Sequence, residues 1–203
     1  MEGNPYFYGL SSHENVEIKL YNKANPLKPW KTMGRMHDKY LIADGKIYIL
    51  GGRNTYNYFL GDFPGHKNFD RDVLVVCDEP QKDNSVNQLW NYFETIWEQE
   101  DCRYFHNSKK LADRQSVKKA VLELQEGYQQ YFEVNKEKIC DTDYADETFE
   151  TEKITLLSNP IHTQAKEPVV WYQLGELMKN AKERVKIHTP YIICNDMMYN
   201  TWE

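Results

Sequence analysis

Two short runs rich in β-forming residues flank an Asp-Gly pair, and this arrangement constrains the local fold more than any other pattern in the chain. The first run covers residues 39–43 (KYLIA) and the second covers residues 46–50 (KIYIL). The Asp44-Gly45 pair between them suits a type I′ turn, whose two central residues need positive φ. The sequence therefore predicts a β-hairpin that turns at this pair.

Chemistry-bearing side chains lie at the open end of this hairpin. His37 and Lys39 are two residues apart, so on a strand they would project from the same face. The second strand folds back and returns Gly51, Gly52 and Asn54 beside them. An ammonium and an amide suit phosphate oxygens, and a neutral imidazole can act as a nucleophile or a base. The bare glycine backbone would let a ligand approach closely.

The complete pattern from His37 to Asn54 is H-x-K-x4-D-x6-G-G-x-N, and it resembles the active-site signature of the phospholipase D superfamily at every specified position. Residues 71–75 (RDVLV) resemble the strand that follows this motif in bacterial cardiolipin synthase-like members. Residues 181–191 (AKERVKIHTPY) resemble the opening of a second phospholipase D half. The resemblance implies an α/β fold with a phospholipase D-like mixed β-sheet flanked by helices, present here as an incomplete part.

The resemblance also implies roles for the residues that would meet the substrate phosphate. His37 would attack phosphorus or protonate the leaving alcohol. Lys39 and Asn54 would hold the non-bridging oxygens, and Gly52 would lie against the same phosphate.

Two aspartates complete the implied catalytic set. Asp44 would support the hairpin and its charges, and Asp72 would accept a hydrogen bond from the histidine and orient it. The mechanism implied by the resemblance needs no metal and no cofactor. The four cysteines also lie far apart, without the closely spaced ligand pairs of a zinc site.

The superfamily places two such motifs face to face, so that one histidine forms a phosphohistidine and the other serves as acid and then base. This chain has one copy, because none of its other five histidines is followed two residues later by lysine. A homodimer could build the site across a two-fold axis, or a second motif could lie in a longer chain. We favour the longer chain, because the early strands expected of a first half are not found before Val16.

Strands and helices are expected to alternate along the rest of the chain. Helical spacing of apolar residues and short apolar runs predict helices and strands, respectively. The helices are expected at residues 85–98, 108–135 and 168–182, and the strands at residues 16–20, 72–76, 154–157 and 185–188.

The expected domain organisation follows from an acidic stretch without a pattern. Residues 141–152 form this stretch and are interpreted as an exposed linker. Residues 1–140 would be the C-terminal part of a first phospholipase D-like half that contains the motif. Residues 153–203 would begin a second half.

Charge and hydropathy narrow the expected partners. The net charge is -6, whereas proteins that bind nucleic acid through its phosphates usually have a basic balance. A phospholipid or another phosphodiester is therefore the expected substrate, and the net charge disfavours nucleic acid. The chain has neither a basic signal-peptide n-region nor an apolar run of about 18 residues. It is expected to be soluble as given, with any longer parent associated with a membrane on the cytoplasmic side.

The expected function is therefore a phospholipase D-like phosphodiesterase or phosphatidyltransferase that acts through a phosphohistidine. Two alternatives remain open. One is a nuclease of the same superfamily, and the other is a non-catalytic fragment that binds phosphate at an intact half-site.

Overall fold

The computed structural model describes residues 3–60, 64–77, 83–162, 167–189 and 196–200. Within these ranges the chain combines helices with two small antiparallel sheets, which confirms a mixed α/β composition, whereas the phospholipase D-like mixed sheet stays a prediction. The strands are β1 (Lys19–Tyr21), β2 (Lys39–Ala43), β3 (Ile47–Gly51), β4 (Asp72–Val76) and β5 (Cys102–Tyr104). The helices are α1 (Pro5–Leu10), α2 (Ser85–Trp97), α3 (Lys109–Ala112), α4 (Gln115–Cys140), α5 (Val169–Lys179) and α6 (Asp196–Tyr199), with a 3₁₀ helix at Pro29–Met33.

The predicted hairpin is confirmed. Strands β2 and β3 pair antiparallel, and Ala43 lies opposite Ile47. The Lys46 amide donates to the Ala43 carbonyl at 3.0 Å and closes the turn. Asp44 and Gly45 take φ values of 52° and 65°, which is the left-handed backbone that a type I′ turn requires at both central positions.

Strand β4 joins the other side of β3, so that the strand order is β2-β3-β4 and β2 lies at an edge. Lys39 pairs with Gly51, and Gly51 pairs with Asp72. Directly paired residues share one face of a sheet. Three residues of the motif region therefore stand in one row across the sheet.

Helix α2 packs against one face of this sheet. Its N-cap is Asn84, whose side-chain oxygen accepts from the Asn87 amide at 2.8 Å. The helix turns Val86 and Leu89 inward, where they are 0% and 1% exposed. They meet residues from all three strands, and these are Tyr40, Ile42, Tyr48, Leu50 and Val75. The core of the three-stranded sheet therefore lies between the sheet and α2.

The predicted helix over residues 108–135 is interrupted and extends further than expected. Helix α3 starts at a Ser108 cap, whose hydroxyl accepts from the Leu111 amide at 3.4 Å. Asp113 follows α3, and Arg114 has an extended backbone at ψ 141°, which breaks the helical path before α4 begins. The prediction missed this break because neither glycine nor proline stands between the two helices to mark it.

Two predicted strands are wrong in this structure. Residues 154–157 and 185–188 form neither strand nor helix, and no described segment pairs with them. The Leu156 amide donates instead to the Gln88 side-chain oxygen at 2.8 Å, so a helix side chain takes the place of a neighbouring strand. Pro190 and Tyr191, which belong to the stretch that resembles a second half, lie outside the described residues.

The remaining predictions agree in part. Helix α5 lies within the predicted span of residues 168–182, and β1 overlaps the predicted strand at residues 16–20. Residues 141–152 contain neither helix nor strand, and their role as a linker stays a prediction. Within the described ranges, no helix has both the length and the apolar character that crossing a membrane requires.

Candidate active site

Lys39 and His37 contact each other at the open end of the hairpin. Lys39 Nζ lies 2.9 Å from His37 Nδ1 and 2.6 Å from the carbonyl oxygen of the same residue. The ammonium can only donate, so Nδ1 accepts, and the neutral ring then carries its proton on Nε2. His37 is exposed to solvent. The structure therefore brings the first two predicted site residues into contact at a position that is exposed to solvent.

Arg53 organises the other side of this region. Its Nε donates to Asp72 Oδ2 at 2.6 Å, its Nη1 to the Phe59 carbonyl at 2.8 Å, and its Nη2 to the Asp70 carbonyl at 3.0 Å. The Arg53 guanidinium thus links the end of the motif to β4, to the loop after β3 and to the residues just before β4. The Asp72 carboxylate is engaged with Arg53, and its predicted role in orienting His37 stays a prediction.

The two motif glycines make room for carboxylates of this chain. A Cβ on Gly51 would lie 1.8 Å from Asp72 Oδ1, a distance that no real side chain could accept. A Cβ on Gly52 would lie 2.9 Å from Asp70 Oδ2. Gly51 therefore allows Asp72 to fold over the sheet toward Arg53. The predicted phosphate contact at Gly52 would form next to the Asp70 carboxylate.

The other two predicted residues lie at different places along the hairpin. Asp44 occupies the turn, and the length of β2 separates it from Lys39, which is about 17 Å at the usual rise of a strand. It can support the hairpin but cannot reach the same phosphate as Lys39. Asn54 is half-buried and follows Arg53 directly, three residues after the end of β3.

A polar contact also supports the motif from the face opposite Lys39. The Tyr92 hydroxyl on α2 donates to Asp38 Oδ2 at 2.5 Å, and the Tyr92 ring meets the Tyr40 ring edge-on with centroids 6.2 Å apart. Burial, and secondarily the Asp38 charge, raises the pKa of Tyr40 to about 12. Burial, followed by the hydrogen bond to Asp38, raises the pKa of Tyr92 as well.

This contact lines a cleft of about 260 Å³ between the sheet, α2 and residues 156–159. Sequence reasoning missed Asp38, because its position in the motif is unspecified, and Tyr92, because it lies 54 residues further along the chain. It also missed Arg53 and Asp70. The available signal was an arginine inside the motif together with two aspartates that flank Arg71.

Comparisons with known proteins give one distant relative. No family model matches the chain, and no solved structure matches it. An uncharacterized protein of Helicobacter pylori is 24% identical to it, over 91% of this chain and 39% of that protein. The chain therefore spans well under half the length of this relative.

Proposed function

We propose that this chain is part of a phospholipase D-type phosphodiesterase or phosphatidyltransferase, similar to bacterial cardiolipin synthases, in which His37 forms a phosphohistidine. The observation that carries the proposal is the contact of Lys39 Nζ with His37 Nδ1 at 2.9 Å, within a motif that is filled at every specified position. An ammonium beside an exposed imidazole suits an anionic phosphodiester and a nitrogen nucleophile.

The contact between the two side chains suggests how the site is activated. Without substrate, the ammonium occupies Nδ1 and the proton sits on Nε2. A diester phosphate draws Lys39 Nζ onto its non-bridging oxygens, and Nδ1 then takes the ring proton. The Nε2 lone pair of His37 becomes free to attack phosphorus.

The reaction then runs as two displacements. A bond forms between Nε2 and phosphorus while the bond from phosphorus to the leaving alcohol breaks, and a second histidine protonates that alcohol. Water or an acceptor alcohol next gives its proton to the second histidine and attacks phosphorus. The bond from phosphorus to nitrogen breaks and His37 is regenerated. Dividing one difficult substitution into two easier ones is the benefit of the covalent step.

The second histidine has to come from outside the motif described above. It is supplied either by a second half in a longer chain or by a homodimer partner. The matched segment is 39% of the Helicobacter pylori relative, so that protein has ample length for a second half. This length supports the longer chain over the dimer.

A trapping experiment tests the proposal in the longest natural form of the protein. Phosphatidylglycerol or a simple diester, labelled in the phosphoryl group, should leave an acid-labile label on the protein. The H37A variant should lose the label and about a thousandfold or more of the turnover. The H106A variant, which alters another exposed histidine, should behave like the wild type. Undiminished turnover by H37A would exclude the proposal.

The single motif gives specific support to a second candidate, a non-catalytic half-site that binds phosphate. Titration of this chain with inorganic phosphate or tungstate, followed through the imidazole nitrogen resonances of His37, measures binding directly. Binding without turnover in the longest natural form would favour this candidate. Cleavage of labelled oligonucleotides, with steep salt dependence, would instead favour the nuclease that the net charge of -6 opposes.

A further inference from the structure

The segment that precedes the motif has a charge opposite to that of the chain as a whole. Residues 18–37 contain five Lys or Arg residues and no Asp or Glu, although the chain carries a net charge of -6. The segment includes the 3₁₀ helix at Pro29–Met33 and ends at His37. A strongly basic stretch in an acidic protein marks a surface that attracts anions.

Three large apolar side chains project from this basic segment. Leu27, Trp30 and Met33 are 85%, 71% and 86% exposed. Residues three apart lie on one face of a 3₁₀ helix, so Trp30 and Met33 point the same way, and Leu27 lies two residues before the helix begins. We call these three residues the apolar ridge. Lys28 and Lys31 follow the first two ridge residues directly in the sequence.

The backbone beneath the ridge is held by specific contacts. The side-chain amide of Asn22 donates to the Lys31 and Gly34 carbonyls, both at 2.6 Å. Lys31 Nζ pairs with Asp101 at 3.1 Å, which joins the 3₁₀ helix to the chain just before β5. The ridge residues are therefore exposed on a segment whose main chain is held in place by the Asn22 hydrogen bonds and the ion pair between Lys31 and Asp101.

A basic cleft opens beside the ridge. It has a volume of about 250 Å³, and its lining includes Lys23, Lys28, Lys31 and Arg103. Asp101 is the one acid among the described lining residues, and it already pairs with Lys31. A cleft of this charge suits a phosphate group.

We propose that the apolar ridge and the basic cleft form a docking surface for a bilayer that contains anionic phospholipid. The ridge enters the boundary between headgroups and acyl chains, and the cleft holds a lipid phosphate. Exposed apolar side chains interleaved with lysines are typical of segments that lie in a membrane interface.

Charge complementarity favours a lipid surface over a second copy of the chain as the occupant. A second copy would bring a net charge of -6 but also the same basic segment, so the two ridges would repel each other on close approach. The docking surface does not depend on the phosphohistidine chemistry. If both proposals hold, docking brings His37, four residues after Met33, close to the membrane surface.

Sedimentation with vesicles tests the docking surface without any measurement of activity. The chain should bind vesicles of equal parts phosphatidylglycerol and phosphatidylcholine, and should not bind vesicles of phosphatidylcholine alone. The triple variant L27A/W30A/M33A should lower the affinity about tenfold or more, because its apolar contacts are lost. K28A and R103A should each lower it about fivefold. High salt should abolish binding.

The matched control is F149A, because Phe149 is 94% exposed but lies in the acidic stretch of residues 141–152. Its affinity for vesicles should equal that of the wild type. Brominated lipid should quench fluorescence of the wild type, and the W30F variant should lose this quenching. Because W30F keeps a large apolar ring at the ridge, this readout does not depend on the stability of the triple variant.

Three results would overturn the docking surface. The first is unchanged binding by the triple variant, and the second is an equal loss of binding in F149A. The third is a ridge-dependent dimer in sedimentation velocity without vesicle binding. Vesicle binding that persists while no phosphohistidine can be trapped would contradict only the proposed function. Trapped phosphohistidine without vesicle binding would contradict only the docking surface.

Discussion

The two faces of the three-stranded sheet are built from the same strands but have different surroundings. On the face toward α2, Tyr48 and Val75 are 3% and 7% exposed. On the other face, the paired residues Leu41 and Ile49 are 59% and 42% exposed. The row of Lys39, Gly51 and Asp72 lies on this more open face, since strand residues alternate between faces. The buried core and the candidate site residues thus lie on opposite faces of one sheet.

This division lets the site keep polar groups in water while the sheet is still stabilised. A buried ammonium or carboxylate would need a partner for every charge, whereas an exposed one does not. The same division predicts that substitutions on the two faces have very different effects on stability. The following four predictions examine that difference, from the largest expected effect to the smallest.

The largest contrast is expected between two leucines. Leu89 is 1% exposed on the covered side, and L89A should lower the free energy of unfolding by about 2–5 kcal/mol through lost burial and a cavity. Leu41 is 59% exposed, and L41A should cost less than about 1 kcal/mol. Urea denaturation of both variants measures this. Equal losses would mean that the open face is covered in solution.

A smaller effect is expected where the open face is crowded by a carboxylate. The G51A variant places a Cβ 1.8 Å from Asp72 Oδ1 and should cost about 1–3 kcal/mol, while it also disturbs the Arg53 contact. G127A is the matched control, because its Cβ meets nothing within 4 Å on helix α4. It should stabilise the helix by about 0.5–1 kcal/mol. Thermal unfolding that shifts in the same direction for both variants would contradict this account.

The half-buried Tyr40 within the motif should make stability sensitive to alkaline pH. The pKa of Tyr40 rises from 10.0 to about 12 on folding, so the folded state keeps a proton that the unfolded state releases. Its contribution is complete below pH 10 and falls as the pH rises toward 12. Over this pH range the free energy of unfolding of the wild type should fall by about 1 kcal/mol or less because of Tyr40, since solvent screens the half-buried ring.

The Y40F variant isolates that effect. Its free energy of unfolding should fall less than that of the wild type between about pH 9 and about pH 11. The comparison requires urea denaturation at both values. Y144F, which alters an exposed tyrosine in the acidic stretch, should follow the wild type. An identical alkaline loss in Y40F and the wild type would rule out this source of pH dependence.

The smallest effect on stability is expected from polar substitutions on the open face. The double variant L41T/I49T should change the free energy of unfolding by about 0.5 kcal/mol or less. It should nevertheless lower the binding of an apolar fluorescent dye, since both side chains contribute to an exposed apolar surface. L122T, at a residue 57% exposed on α4, is the control and should leave that binding nearly unchanged. A loss above about 2 kcal/mol would show that the face is packed.

Local chemistry was enough to predict the hairpin, β4 and α2. Asp44 and Gly45 specify the turn through their backbone preferences, and the apolar spacing of residues 85–98 specifies the helix. Contacts between distant residues escaped prediction. Arg53 meets Asp72 only because β4 pairs with β3 in one register, and Asp38 meets Tyr92 only because α2 packs on that face. Neither partner follows from the residues nearby.

The wrong strands have the same physical origin. Residues 154–157 have the composition of a strand, but a strand exists only when a neighbour supplies its hydrogen bonds. Leu156 finds its acceptor on Gln88 of α2 instead. The composition of a segment shows which conformation it favours. Whether it forms a strand depends on which other segments pack beside it.

The hairpin turn also determines how the motif tolerates changes in length. Lys39 lies six residues before Gly45 and Gly51 lies six residues after it, so the two arms of the hairpin are equal in length and bring this pair opposite each other. Inserting or deleting one residue in an arm would shift the register and turn that arm's side chains to the opposite face. Lys39 would then face α2 while Tyr40 faced water. Substitutions between residues 40 and 50 that preserve the turn and the covered face are thus compatible with the site, whereas a one-residue insertion or deletion in either arm would dismantle it.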